Sequence, residues 1–128
     1  MNKIILWIIR IIPAVIFLQT LYFKFTASPE SVYIFSTLGL EPYGRITIGI
    51  LEIIASILLL INSTYFYGAL LGFGLIVGAI FSHLTRLGIV VQNDGGFLFG
   101  LAIVNFILTG IILINHRKKF MKLLKFDS

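Results

Sequence analysis

The sequence predicts an all-α membrane protein: an antiparallel bundle of four transmembrane helices, with a short interfacial helix between the first two and both termini cytoplasmic. Three observations predict it. Hydrophobic residues make up 59% of the 128-residue chain and charged residues 12%, with mean hydropathy +1.06. A soluble domain carries charge on about a quarter of its residues and could not hide this much apolar surface. Four apolar segments, 4–25, 44–61, 66–87 and 96–115, match the length of about 20 residues needed to cross a hydrocarbon core. The basic residues are lopsided: Lys3, Arg10, Arg117, Lys118, Lys119, Lys122 and Lys125 fall on the side shared by the two ends, against Lys24, Arg45 and Arg86 on the other. The positive-inside rule then places both ends in the cytoplasm, and an even number of spans agrees. At this length, 1–128 is expected to form one integral membrane domain.

The first segment has Lys3 before an apolar run, as a signal peptide does. Pro13, Gln19 and Lys24 break that pattern and no small-x-small cleavage site follows, so the segment is expected to stay as a span. Ser28-Pro29-Glu30-Ser31 is a helix-start signal: a capping oxygen, proline in the first turn and an acid at the positive end of the dipole. The helix it opens, 29–38, ends at Gly39 and gathers Val32, Phe35 and Leu38 on one face. At about 15 Å it cannot cross a bilayer, so it is expected in the outer interface or as a lid. Asn62-Ser63-Thr64 is short enough to make the second and third spans a hairpin. The third span carries Gly68, Gly72, Gly74, Gly78 and Ser82, two rows of small residues that predict close helix packing. Ile89-Val90-Val91 favours an extended path and Asn93-Asp94-Gly95-Gly96 a tight turn before the fourth span, with the Asp94 carboxylate placed to meet Arg86 or Lys24. The tail 116–126 interleaves basic and apolar residues and reads as an interfacial extension gripping anionic lipid rather than nucleic acid, although the net charge is +5.

The polar residues inside the spans are the candidate site. Glu52 stands alone in an otherwise uncharged run from Ile46 to Ile61. A charge at the bilayer centre costs about 2.5–3.5 kcal/mol on insertion scales, so this acid is expected to face the bundle interior with a polar partner or task. Arg45, Gly49, Glu52 and Ser56 share one helical stripe. Arg45 lies two turns from Glu52, so a water or a third residue is the expected partner. Gln19, Lys24, His83, Arg86 and Asn105 come from the other spans or their ends at compatible depth. If they converge, Glu52 and Asn105 form a pocket floor, Gln19 its wall, and Lys24, Arg45, His83 and Arg86 its periplasmic mouth. The competing reading of Gln19 and Asn105 is interhelical glue, worth about 0.6 kcal/mol per hydrogen bond. The chain has no cysteine, which removes thiol relays and thiolate metal clusters, and His83 has no second ligand at metal-binding spacing.

Phe23-Lys24-Phe25 closing the first span, the helix Ser28 to Phe35, Gly49-Ile50-Leu51-Glu52 in the second span and Gly78-Ala79-Ile80-Phe81-Ser82-His83-Leu84 closing the third occur in an order that resembles the DoxX family of small bacterial four-helix membrane proteins. The resemblance runs from about Ile8 to Leu113. It implies association with quinol oxidase or thiosulfate:quinone oxidoreductase subunits, and therefore an accessory role in a quinone-linked assembly rather than catalysis by the chain alone. The expected ligand is a quinone or a lipid, and the expected partners are membrane lipids and other membrane subunits. Two further readings stand beside it: a proton-coupled small-molecule exporter built on the membrane acid, and a scaffold or assembly factor that docks a partner on the Gly-rich span.

Overall fold

In the computed structural model, which describes residues 2–124, the chain is helical: α1 (Lys3–Phe25), α2 (Pro29–Thr37), α3 (Tyr43–Leu60), α4 (Tyr65–Ser82) continued by a π-helical turn (His83–Leu87), α5 (Phe97–Asn115) and α6 (Arg117–Leu124). Lys125 and Phe126 of the basic tail lie outside the described residues. The helices α1, α3, α4 with its π turn, and α5 are long and apolar enough to cross a membrane, whereas the nine-residue α2 is not. Around the bundle α1 packs on α3, α3 on α4, α4 on α5, and α5 back on α1. Large apolar side chains such as Ile8, Val15, Ile57 and Ile107 stay on the outside, the surface expected of helices solvated by lipid.

Local chemistry sets the helix limits. Asn2 accepts from the Ile4 N–H (2.7 Å) to start α1, and Ser28 accepts from the Ser31 N–H (3.3 Å) to start α2, with Pro29 and Glu30 in its first turn. Close packing between α3 and α4 depends on Gly68, where an added Cβ would stand 2.5 Å from the Leu59 nitrogen. Gly72 leaves room for the Phe17 ring, 2.9 Å from where its Cβ would be. Gly74 and Gly78 differ from the packing role the sequence suggested: nothing lies within 4 Å of a Cβ at either position, because that row faces an open chamber.

The end of α4 widens into the π turn, where the Gly88 N–H donates to the His83 carbonyl (2.8 Å). Gly88 holds φ 78° and ψ 171°, a region open in effect to glycine alone. In the following loop Asp94 is a hub for backbone donors. Its Oδ1 accepts from the Val91 N–H (3.0 Å) and the Gly96 N–H (2.8 Å), and its Oδ2 from the Leu98 N–H (3.2 Å) in the first turn of α5. The expected meeting of Asp94 with Arg86 or Lys24 does not occur, because these three donors satisfy the carboxylate locally.

Candidate functional site

The α3 stripe is buried as its periodicity requires: Arg45, Gly49, Glu52 and Ser56 all turn into the bundle. Ser56 satisfies itself by donating to the Glu52 carbonyl (2.7 Å). The Glu52 carboxylate meets a third residue, Lys24 from the last turn of α1, with Nζ 2.8 Å from Oε1 and 14% and 10% of the two side chains exposed. Lys24 also donates to Thr20 Oγ1 (2.9 Å), one turn back on its own helix. Arg45 is directed elsewhere. Its Nε donates to both oxygens of Glu41 (2.8 and 3.0 Å), and its guanidinium also binds the Lys24 carbonyl. Glu41 thus takes the arginine, and the arginine in turn grips the C-terminal backbone of α1 at the residue whose ammonium reaches Glu52.

Beside this pair lies a cavity of about 620 Å³. It is bounded by the second half of α1, the first half of α3, the second half of α4 and the first half of α5, with α2 across it. Its wall is mainly apolar, with Phe17, Ile34, Phe35, Leu75 and Leu101 among the lining side chains. Gly74, Gly78 and Ser82 line it one turn apart, so the small residues of α4 create volume here instead of bringing two backbones together.

Of the candidates drawn from the sequence, Gln19, Lys24, Glu52 and His83 line this cavity, while Arg45, Arg86 and Asn105 do not. Arg45 is occupied by Glu41 and the Lys24 carbonyl, and Arg86 is exposed on the π turn. Asn105 sits one turn beyond Ala102, the last α5 residue of the lining, and is 0% exposed. Its amide oxygen and nitrogen have no hydrogen bond among the described residues, so it belongs to the packed part of the bundle and neither floors the cavity nor acts as glue. Glu30 and Asp94 also line the cavity, from α2 and the loop before α5. Burial works to raise the Asp94 pKa, but the hydrogen bonds from Val91, Gly96 and Leu98, helped by nearby His83, outweigh it and hold the carboxyl below the usual carboxylate range.

His83 is buried at the start of the π turn, with Nδ1 2.9 Å from the Gly88 carbonyl and the Phe99 ring edge-on at 5.4 Å. A further buried charge, Arg10, was not among the site candidates drawn from the sequence, where it serves only to orient the chain. It is 1% exposed, donates from Nε to the Leu59 carbonyl (2.8 Å) and from a terminal nitrogen to Asn62 Oδ1 (2.9 Å), and lies over the rings of Trp7 (3.8 Å) and Tyr65 (4.4 Å). The signal was the one that identified Glu52: a lone charge inside an apolar run. Arg10 ties α1 to the far ends of α3 and α4, opposite the cavity, and so anchors the bundle rather than lining the site.

An apolar chamber with one ion pair and a few polar groups on its wall suits a molecule with a small polar head and an apolar body. Comparison with curated proteins and with solved structures found no match. The sequence profile of the DoxX-like family matches residues 8–104, most of the chain and all of the cavity-lining segments, and the protein belongs to the DoxX-like family.

Proposed function

We propose that this protein binds a quinone, a lipid or another amphipathic molecule in the cavity beside Lys24 and Glu52, as an accessory subunit of a redox-linked assembly in the bacterial inner membrane. The observation that carries this reading is a cavity of about 620 Å³ whose apolar wall holds a buried ion pair. Gln19, Phe23 and Phe97 line the cavity and are also exposed, which supports a mouth through which a ligand dissolved in the bilayer enters without crossing water. The chain has no cysteine, so electrons would belong to the ligand and to partner subunits. In this reading the spans alternate in direction and both termini are cytoplasmic, with α2 covering the cavity at the periplasmic interface. Arg117, Lys118, Lys119 and Lys122 of α6 then lie against the anionic head groups of the inner leaflet.

The test is titration of the purified protein with a short-tailed quinone in both its oxidised and its reduced (hydroquinone) form. Saturable binding of at least one form is expected, weakened by about threefold to tenfold in each of Glu52→Gln and His83→Ala, the value of one or two polar contacts. Identical titrations of the wild type and both variants, or no binding by any of them, would remove the proposal.

A further inference from the structure

Gly88 holds the imidazole of His83 with both of its backbone polar groups. Its N–H donates to the His83 carbonyl (2.8 Å), and its own carbonyl lies 2.9 Å from His83 Nδ1. A carbonyl oxygen only accepts, so Nδ1 must carry the hydrogen. In the neutral imidazole the other nitrogen, Nε2, is then the acceptor. The arrangement has little freedom to invert, because Gly88 sits at φ 78° and ψ 171° and Phe99 stands edge-on to the ring at 73°. No residue among those described donates to Nε2, although His83 lines the cavity.

The rest of the polar wall is also short of donors. Lys24 has three N–H groups; Glu52 and Thr20 take two, leaving one. The second carboxylate oxygen of Glu52, Oε2, accepts no hydrogen bond from any described residue. Two vacant acceptors and one vacant donor therefore belong to side chains that line the cavity, and a molecule that only accepts would leave the acceptors unfilled in a largely apolar chamber.

We infer that the cavity selects a head group bearing a hydroxyl, a phenol or hydroquinone whose O–H donates to His83 Nε2, over the corresponding quinone or ether. This rests on the ligand-binding reading of the cavity and adds the hydrogen-bonding class, and with it the oxidation state, of what binds there. His83 is the binding residue, and Gly88 is the positioning residue that fixes which ring nitrogen is free.

The experiment uses the full chain in lipid nanodiscs with ¹⁵N-labelled histidine, and three probes of equal tail length: a short-tailed benzohydroquinone, its dimethyl ether and the parent quinone. The resonance lost in His83→Gln identifies His83. In the wild type at a pH where the ring is neutral, Nδ1 is expected protonated and Nε2 bare, with the Nε2 resonance moving when the hydroquinone is added. The hydroquinone is expected to bind about threefold to tenfold more tightly than the ether or the quinone, and His83→Phe is expected to abolish that preference while the ether still binds. A protonated Nε2 in the neutral ring, or equal affinities of the three probes for the wild type, would overturn the inference and leave the cavity as a site. Failure of all three to bind would overturn the reading beneath it as well. The tautomer and the wild-type affinities decide the matter even if the His83 variants do not fold.

Discussion

Removing one member of the Lys24–Glu52 pair is expected to destabilise the protein more than removing both. At the observed 2.8 Å, with an effective dielectric of about 20, two unit charges attract by about 6 kcal/mol before desolvation is counted. The desolvation cost of two largely buried ions offsets much of that gain, so the pair adds little net stability relative to two neutral groups. Breaking it is different, because the survivor keeps its burial cost and loses its compensation, a loss of about 3–5 kcal/mol. Lys24→Met and Glu52→Gln should therefore each lower unfolding free energy by about that much, while the double variant should lose less than either single variant, so that the coupling recovered exceeds one single loss. The assay is equilibrium unfolding of the four proteins in one detergent mixture, followed by circular dichroism. A parallel cycle with Arg45→Met and Glu52→Gln should show much weaker coupling than the Lys24 cycle, because the Arg45 side chain pairs with Glu41 and touches the Lys24–Glu52 pair only through the Lys24 carbonyl. Additivity in the Lys24 cycle, or strong coupling in the Arg45 cycle, would refute the assignment of partners.

The glycines of α4 should respond in opposite ways. Gly68→Ala places a methyl group 2.5 Å from the α3 backbone and should cost about 1–3 kcal/mol in the same unfolding assay, whereas Gly74→Leu and Gly78→Leu should leave unfolding nearly unchanged and abolish quinone binding by filling the cavity. The loop before α5 should show an acid-dependent contribution. The Asp94 carboxyl ionises more readily in the folded protein than in the unfolded chain, so it stabilises the fold at neutral pH, and that contribution is lost as the pH falls below about 4. Asp94→Ala should lower Tm at pH 7, and its gap from the wild type should narrow as the pH falls below about 4; a gap independent of pH would contradict this.

Helical periodicity and end signals were legible because they depend on neighbours in the sequence. The α3 stripe, the Ser28 cap and the four apolar segments all follow from spacing alone, and each helix limit falls within a residue of the expected one. The partner of Glu52 was not legible in the same way, since Lys24 and Arg45 both lie near it in depth. What decides between them is Glu41, four residues before Arg45 and in the favourable orientation for an i,i+4 pair, although the segment lies at a helix start where such spacing carries less weight. Asn105 shows the limit of depth as a guide: it lies at a plausible level, but helical phase turns it into packed contact below the chamber. The α4 glycines show that a small-residue motif has two structural meanings. The same spacing admits a neighbouring backbone at Gly68 and leaves empty space at Gly74, and only the position of the facing helix distinguishes them.

The division of the bundle into a packed end and an open end bears on how a ligand could be recognised. At the packed end Arg10 bridges three helices, and Gly68 brings α3 and α4 into backbone contact. At the open end Gly74, Gly78 and Ser82 withhold side chains from a chamber enclosed by apolar residues. In water such a wall would itself drive binding, at about 0.8 kcal/mol per buried methylene. Inside a bilayer that drive largely vanishes, because a tail leaving lipid for the cavity exchanges one apolar environment for another, and an acyl chain can occupy the space in competition. Selectivity over the surrounding lipid must then come from the polar head: the remaining donor of Lys24, the free oxygen of Glu52 and the imidazole of His83. On the proposed binding function, this accounts for an ion pair kept beside the cavity of a bundle that could be packed throughout, where the apolar surroundings that make an unpaired charge costly also strengthen a well-placed polar contact.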